Sequence, residues 1–127
     1  MAVAEAAEDI NMKSITAFII ALLIIIIIST GCSKEVDTKY DSFAKCLTEK
    51  GAVMYGTYWC THCQAQKRDF GDSFKYVNYV ECTEDKDRCI EEDIKGFPTW
   101  IVDEQLYPGR QKMEKLAELT GCKLPQL

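Results

Sequence analysis

The sequence has no clustered excess of basic residues, no internal repeat and, beyond residue 31, no low-complexity segment. Its formal net charge is −5, from 15 basic and 20 acidic side chains in 127 residues. Nucleic-acid-binding proteins carry a basic patch or stripe, so this charge argues against a nucleic acid as partner. The absence of repeats argues against a solenoid, and the length beyond residue 31 suffices for one small domain.

One long apolar run is present, near the beginning of the chain. Residues 15–28 carry no charge, Lys13 precedes them, and small residues follow. This order is typical of a secretory signal. As a helix, the 14-residue run would extend roughly 21 Å, less than the ~30 Å hydrocarbon core of a bilayer. We expect Met12 to be the initiator, because the eleven residues before it are acidic where a signal requires a basic region.

The residues after this run, STGC from Ser29 to Cys32, resemble a bacterial lipobox. In that motif the cysteine is lipidated and the signal before it is removed, which makes Cys32 the expected lipid attachment site. Ser29 departs from the usual leucine, and an uncleaved anchor or a free secreted product are the alternatives. All three outcomes place the rest of the chain outside the cytoplasm. We therefore expect a signal peptide or membrane anchor over residues 1–31, a tether over 32–39 and a folded domain over 40–127.

Cysteine is unusually frequent, with seven residues in this short chain. In an exported protein, such a number indicates disulfides or redox groups rather than idle thiols. With Cys32 set aside for lipid, an even number remains, as a disulfide framework requires: Cys46, Cys60, Cys63, Cys82, Cys89 and Cys122.

Hydrophobic patterning in the folded domain predicts the element order α-β-α-β-α-β-β-α. Such an order indicates an α/β layer fold, in which helices cover both faces of a central sheet. The expected strands are 52–58, 77–82, 99–102 and 105–107. The expected helices run from residue 40 to near residue 51, from the C-x-x-C motif to residue 70, over 89–94 and over 111–120.

The strongest chemical signal is the C-x-x-C of Cys60 and Cys63, at the junction of a buried strand and a helix. Cys60 falls in the first turn of the helix, where unpaired N–H groups and the helix dipole favour an anion. The thiolate is the form that attacks disulfides. Cys63 follows on the same face, within disulfide reach and more buried. We therefore assign Cys60 as the attacking thiol and Cys63 as the resolving thiol, in a redox pair for which we expect no cofactor.

His62 lies between the two cysteines. An imidazole there would stabilise the Cys60 thiolate and hence the reduced state, which makes the protein an oxidant; the alternative is an ordinary surface histidine. Reduction potentials of such dithiols span roughly −270 to −120 mV, and we expect the oxidising side.

The competing interpretation of the motif is a zinc site made by Cys60, Cys63, Cys82 and Cys89. The second pair is spaced too widely for the tight knuckle of a zinc ribbon. We therefore expect no metal.

The segments WCTHC and GFPTWIV resemble thioredoxin. More closely, MYGTYWCTHCQAQKRDFG, YVEC, GFPTWIVDEQLYPG and KLAELTG resemble the thioredoxin-like domain fused to vitamin K epoxide reductase homologues in bacteria and plants. The resemblance covers about residues 44–121 and implies a thioredoxin-like fold with a mixed four-stranded sheet. In those fusions the membrane part passes electrons to quinone, so the resemblance implies a separate membrane partner of that kind here. Exported cysteine-containing proteins would be the substrates.

The same resemblance implies further roles. Pro98 would be cis and face the redox pair, and the Phe97 backbone would present its N–H and C=O to an extended substrate peptide. Trp59, Phe97 and Pro98 are therefore the expected substrate-binding residues. A structural disulfide would join Cys82 and Cys89, worth roughly 2.5 kcal/mol by loop-closure entropy, with a redox relay as the alternative.

Some features remain open at this stage. Thioredoxin carries a buried aspartate where this chain has Met54, so a general reductase with that proton acceptor is disfavoured. Cys46 and Cys122 would either pair with each other or remain buried thiols. Besides an oxidising enzyme, two hypotheses stand: a tethered reductase for cytochrome maturation or disulfide correction, and a non-enzymatic surface lipoprotein stiffened by disulfides.

Overall fold

The computed structural model describes residues 12–28 and 38–126. The chain divides into two units, residues 1–35 and 36–127. The first contains helix α1, Met12–Ile28. Large apolar side chains of this helix are exposed, among them Phe18 and Leu22. Within the described ranges, no helix combines the length and apolar character needed to cross a membrane. The expected lipid attachment site, Cys32, lies outside the described residues.

The second unit follows the predicted order of helices and strands. Its four strands form one mixed sheet in the order β2-β1-β3-β4, in which β1 and β2 are parallel and the other neighbours are antiparallel. The elements are α2 (Asp41–Glu49), β1 (Val53–Gly56), α3 (Thr61–Phe70), a 3-10 helix (Gly71–Tyr76), β2 (Tyr79–Glu81), α4 (Lys86–Glu91), β3 (Thr99–Val102), β4 (Gln105–Pro108) and α5 (Met113–Thr120).

Alternation along β1 places helices on both faces of the sheet. Met54 points into a core that also contains buried residues of α2, α3 and α5, including Leu47, Phe70 and Leu116. Tyr55, its neighbour in the strand, belongs to a smaller cluster with Val80 and the cysteines of the β2–α4 region. Successive side chains of a strand point to opposite faces, so the two clusters define the two sides of the layer. The predicted α/β architecture is confirmed.

The boundaries of α4 differ from the prediction. A helix over residues 89–94 was the expectation, whereas the helix occupies Lys86–Glu91. The Asp85 carboxylate accepts a hydrogen bond from the Arg88 N–H at 3.4 Å and so caps the helix start. The polar segment before Cys89 therefore forms the first turn, where a loop was expected.

Gln66 anchors helix α3 to the rest of the fold. Its side chain is fully buried, and its Oε1 accepts hydrogen bonds from the Trp100 Nε1 at 3.1 Å and the Gln111 N–H at 2.7 Å. Its Nε2 donates to the Gln111 carbonyl at 3.0 Å. A buried amide whose donor and acceptor are both satisfied specifies one position for its helix. The orientation of α3 is thereby fixed against β3 and against the segment that leads to α5.

Candidate active site

Cys60 and Cys63 lie where the chain leaves β1 and enters α3. Cys60 is the N-cap residue of α3, and its Sγ accepts a hydrogen bond from the Cys63 N–H at 3.1 Å. A sulfur at this position faces the unpaired N–H groups and the positive end of the helix dipole, which favour a thiolate. The structure therefore brings the two predicted cysteines together, both as free thiols.

The two thiols have different environments. Cys60 retains 7% of its surface, whereas Cys63 is completely buried. Burial raises the pKa of the Cys63 thiol to about 12, and its hydrogen bond with Cys60 acts in the same direction. Near neutral pH, Cys63 is thus a neutral thiol and a poor first nucleophile. This asymmetry favours Cys60 as the attacking sulfur.

Gly56, at the end of β1, makes room for Cys63. A Cβ added at Gly56 would lie 2.9 Å from the Cys63 Sγ and 3.2–3.3 Å from the ring and hydroxyl of Tyr79. A Cβ atom essentially never approaches another heavy atom to less than 3.0 Å, so a side chain at Gly56 would displace the Cys63 thiol. The absence of a side chain lets the strand, the buried thiol and the Tyr79 phenol pack at one point.

A hollow of about 430 Å³ opens next to Cys60 and is lined by Trp59, Thr61, His62 and Phe97. The Trp59 side chain is 59% exposed and meets the Phe97 ring edge-on at a centroid distance of 6.0 Å. The Phe97–Pro98 peptide bond is cis. The expected substrate-binding residues Trp59 and Phe97 therefore border the attacking thiol, and so does the exposed His62.

A second hollow, of about 470 Å³, shares Trp59 and Phe97 with the first. Its other lining residues include the cysteines of the β2–α4 region and the apolar side chains of Ile90 and Ile94. Ile90 is 63% exposed. An apolar surface thus extends from the attacking thiol towards α4.

The remaining cysteines of the second unit form two disulfides. Cys82 bonds to Cys89 across the β2–α4 loop, and Cys46 at the end of α2 bonds to Cys122 just after α5. The sequence left open whether Cys46 and Cys122 pair or remain free thiols, and in the structure they pair. The Cys82–Cys89 bond excludes the four-cysteine zinc arrangement, because two of its ligands are bonded to each other.

Sequence reasoning missed a polar cluster beneath Cys63. The Tyr79 hydroxyl, whose Oη also borders Gly56, donates a hydrogen bond to the Glu81 Oε2 at 2.7 Å. The Lys67 ammonium lies 3.8 Å from the centroid of the Tyr79 ring. Met54, where thioredoxin has a buried carboxylate, is fully buried in the core, so the nearby carboxylate comes from β2 instead. The signal that could have revealed the cluster is the alternation in YVEC, which puts Tyr79 and Glu81 on one side of the strand.

Two proteins illustrate what this chain is similar to. The thiol-disulfide oxidoreductase LTO1 of Arabidopsis thaliana is 42% identical in an alignment of 94 positions that covers 67% of this chain and 25% of that protein. The thioredoxin domain-containing protein 5 homolog of Drosophila melanogaster is 32% identical in an alignment of 81 positions that covers 55% of this chain and 20% of that protein. The chain thus spans about a quarter and a fifth of their lengths. No protein-family model matches it.

Among solved structures, the glutaredoxin of Archaeoglobus fulgidus is similar at 25% identity and a TM-score of 0.37, over 54% of this chain and 83% of that one. The mixed sheet, the C-x-x-C at the start of α3 and the two sequence relatives define the class of protein. That class is the thioredoxin-like fold with a C-x-x-C dithiol at a helix start, and the relative from Arabidopsis thaliana is named a thiol-disulfide oxidoreductase.

Proposed function

We propose that this chain is an extracytoplasmic, membrane-tethered oxidant of exported proteins, recycled by a quinone-linked membrane partner such as a vitamin K epoxide reductase homologue. The observation that carries the proposal is the asymmetry of the redox pair. Cys60 is at the helix N-terminus beside an open hollow, and Cys63 is buried beneath it. In this arrangement Cys60 can react with the substrate, and Cys63 can form or release the internal disulfide with Cys60.

The reaction is a two-electron exchange. In the oxidised enzyme, a substrate thiolate attacks the Cys60 Sγ, the Cys60–Cys63 bond breaks, and Cys63 leaves and takes up a proton. A second substrate thiolate then attacks the substrate sulfur of the mixed disulfide, and Cys60 leaves as the thiolate. The substrate has lost two electrons and two protons. The membrane partner removes the same two electrons from Cys60 and Cys63 and passes them to quinone.

The two disulfides outside the redox pair support an extracytoplasmic location. Cys46–Cys122 and Cys82–Cys89 bring together residues that lie within ordinary disulfide reach, with Cα–Cα distances of 5.9 and 5.8 Å. Disulfides of this kind persist in oxidising compartments and are rare in the cytosol. An oxidant of exported proteins would work in the same compartment.

The surface around Cys60 supports a polypeptide substrate. Trp59 and Phe97 connect the two hollows into an apolar surface that reaches Ile90. Exposed apolar surface of this kind marks protein-binding sites. Cysteine is among the most buried residue types in folded proteins, so the neighbours of a cysteine in an unfolded exported chain are often apolar.

The tether is supported by the first unit and by the sequence after it. Helix α1 exposes large apolar side chains that water solvates poorly. A lipid on Cys32 would hold the domain near a membrane partner and raise its local concentration there. Mass spectrometry of the mature N-terminus tests this directly, since lipidation predicts a diacylated Cys32 as the first residue. A mature chain that still contains residues 12–28 would contradict lipidation and favour a helical anchor.

The test of the function itself is trapping. In a Cys63→Ala variant, the mixed disulfide between Cys60 and its substrate is not resolved by the second thiol, so adducts with exported proteins should accumulate in cells. Cys60→Ala/Cys63→Ala is the matched control and should trap nothing. Absence of adducts in the single variant would favour the non-enzymatic alternative. A measured reduction potential near −270 mV, instead of the oxidising side of the range, would favour the reductase.

A further inference from the structure

The groups that face Cys63 come from three places. Cys60 and Lys67 belong to the start and the middle of α3, Tyr79 belongs to β2, and the Thr57 backbone directly follows β1. Of these, Tyr79 is the side chain that shares the space above Gly56 with the Cys63 sulfur. Burial is the main cause of the raised pKa of Cys63, and Tyr79 is the polar side chain of β2 in a position to add to it.

Tyr79 presents an acceptor. A phenol has one hydroxyl proton, and in this structure Tyr79 donates it to the Glu81 carboxylate at 2.7 Å. The oxygen can then only accept hydrogen bonds from other neighbours. An acceptor beside a thiol stabilises the S–H form and disfavours the thiolate, which has no proton to donate.

Glu81 is held in its charged form. Its Oε1 accepts hydrogen bonds from the Thr83 hydroxyl at 2.8 Å and the Tyr58 N–H at 3.2 Å. Burial opposes the charge, but these bonds and the one from Tyr79 outweigh it and hold the pKa of the Glu81 carboxyl below its usual value. The carboxylate thus keeps the Tyr79 proton directed towards itself.

We propose that Tyr79 and Glu81 are positioning residues that keep Cys63 a neutral thiol and set the pH range in which it resolves a mixed disulfide. The inference rests on the proposed redox chemistry and assigns its pH control to β2. In the resolving step the Cys63 S–H bond breaks and the proton goes to solvent, the Cys63–Cys60 bond forms, and the departing sulfur leaves as a thiolate. Tyr79 and Glu81 oppose the loss of this proton from Cys63.

The step can be followed with the small disulfide 5,5′-dithiobis(2-nitrobenzoate). Attack by Cys60 releases a first coloured thiolate, and attack by Cys63 on the adduct releases a second. All variants carry Cys32→Ser in the full chain, so that Cys60 and Cys63 react. The rate of the second release, measured across pH, reports the ionisation of Cys63.

Glu81→Gln replaces the carboxylate by a neutral amide, a weaker acceptor that holds the Tyr79 proton less strongly, so the second release should shift towards lower pH. A shift of about one unit would make it about tenfold faster near neutral pH. Glu84→Gln is the matched control, because it removes an exposed carboxylate from the turn that directly follows β2. Its profile should coincide with that of the parent. Coincidence of the Glu81→Gln profile with the parent, or a shift to higher pH, would overturn the inference.

Tyr79→Phe gives a second test that retains the ring between Lys67 and Phe74. It removes the acceptor and keeps the carboxylate, so we expect a smaller shift in the same direction. If Glu81→Gln does not fold, an unshifted Tyr79→Phe profile is enough to overturn the inference. A parent protein that shows no second release would instead contradict the redox function, which keeps the two failures distinct.

Discussion

Two neighbouring strands of this domain, β1 and β2, run parallel and each leads into a helix that carries cysteine, yet the outcomes differ. After β1, the sulfur of Cys60 caps α3 and leaves the pair free to react. After β2, the Asp85 carboxylate caps α4, and Cys82 and Cys89 are joined in a disulfide. The nature of the capping group separates a reactive sulfur from a structural one, because the helix terminus stabilises whichever anion it meets.

The largest expected effect is on the rate of disulfide exchange, when cysteines of one pair or of the other are replaced. Cys60→Ser should abolish disulfide exchange, since it removes the nucleophile at the helix terminus. Cys82→Ser/Cys89→Ser should retain most of the exchange rate under conditions where the domain remains folded. Turnover with a reduced peptide substrate measures both. Loss of exchange in the double variant without unfolding would contradict the structural role of the second pair and favour a redox relay.

The two structural disulfides should differ in their contribution to stability. Cys46 and Cys122 are 76 residues apart and Cys82 and Cys89 are 7 apart. Loop-closure entropy predicts about 4.5 kcal/mol for the longer loop and about 2.5 kcal/mol for the shorter one. Urea unfolding of Cys46→Ala/Cys122→Ala and of Cys82→Ala/Cys89→Ala checks the order. A larger loss of unfolding free energy from the shorter loop would contradict it.

The packing beneath Cys60 and Cys63 should tolerate an added methyl group less well than the loop before β3 does. Gly56→Ala forces a Cβ to within 2.9 Å of the Cys63 Sγ, and we expect a loss of about 1–3 kcal/mol in unfolding free energy. Gly96→Ala is the matched control, because an added Cβ there meets nothing within 4 Å. Thermal unfolding of the two variants measures the difference. Equal stabilities would show that Cys63 can move aside without loss.

The smallest expected effect concerns His62. His62→Pro removes the imidazole beside Cys60. It should lower the reduction potential by a few tens of millivolts, where about 30 mV corresponds to about 1.4 kcal/mol. Equilibration with glutathione measures the shift. Thr61→Ala, an exposed neighbour without a charge, serves as control. An unchanged potential would mean that His62 simply faces solvent.

Local sequence patterns were sufficient to predict most of the helices and strands. The alternation in β1 and β3 and the C-x-x-C before a helical segment located the elements that hold Cys60 and Cys63. Other features depend on contacts between distant segments. The Tyr79–Glu81 cluster meets Cys63 only because β2 pairs with β1 in the register that places Glu81 opposite Gly56. The partner of Cys46 was likewise open, since connectivity among several cysteines does not follow from their spacing.

The bond between Cys46 and Cys122 turns the domain into a covalent ring that encloses all four strands and both cysteines of the redox pair. A protease that cuts once inside the ring, for instance in the exposed turn at Asp103 and Glu104, opens it without releasing a fragment. Both pieces stay attached to the segment that precedes α2. On a non-reducing gel the nicked protein would therefore migrate as one chain, and reduction would separate the part that carries Cys60 from the part that carries α5.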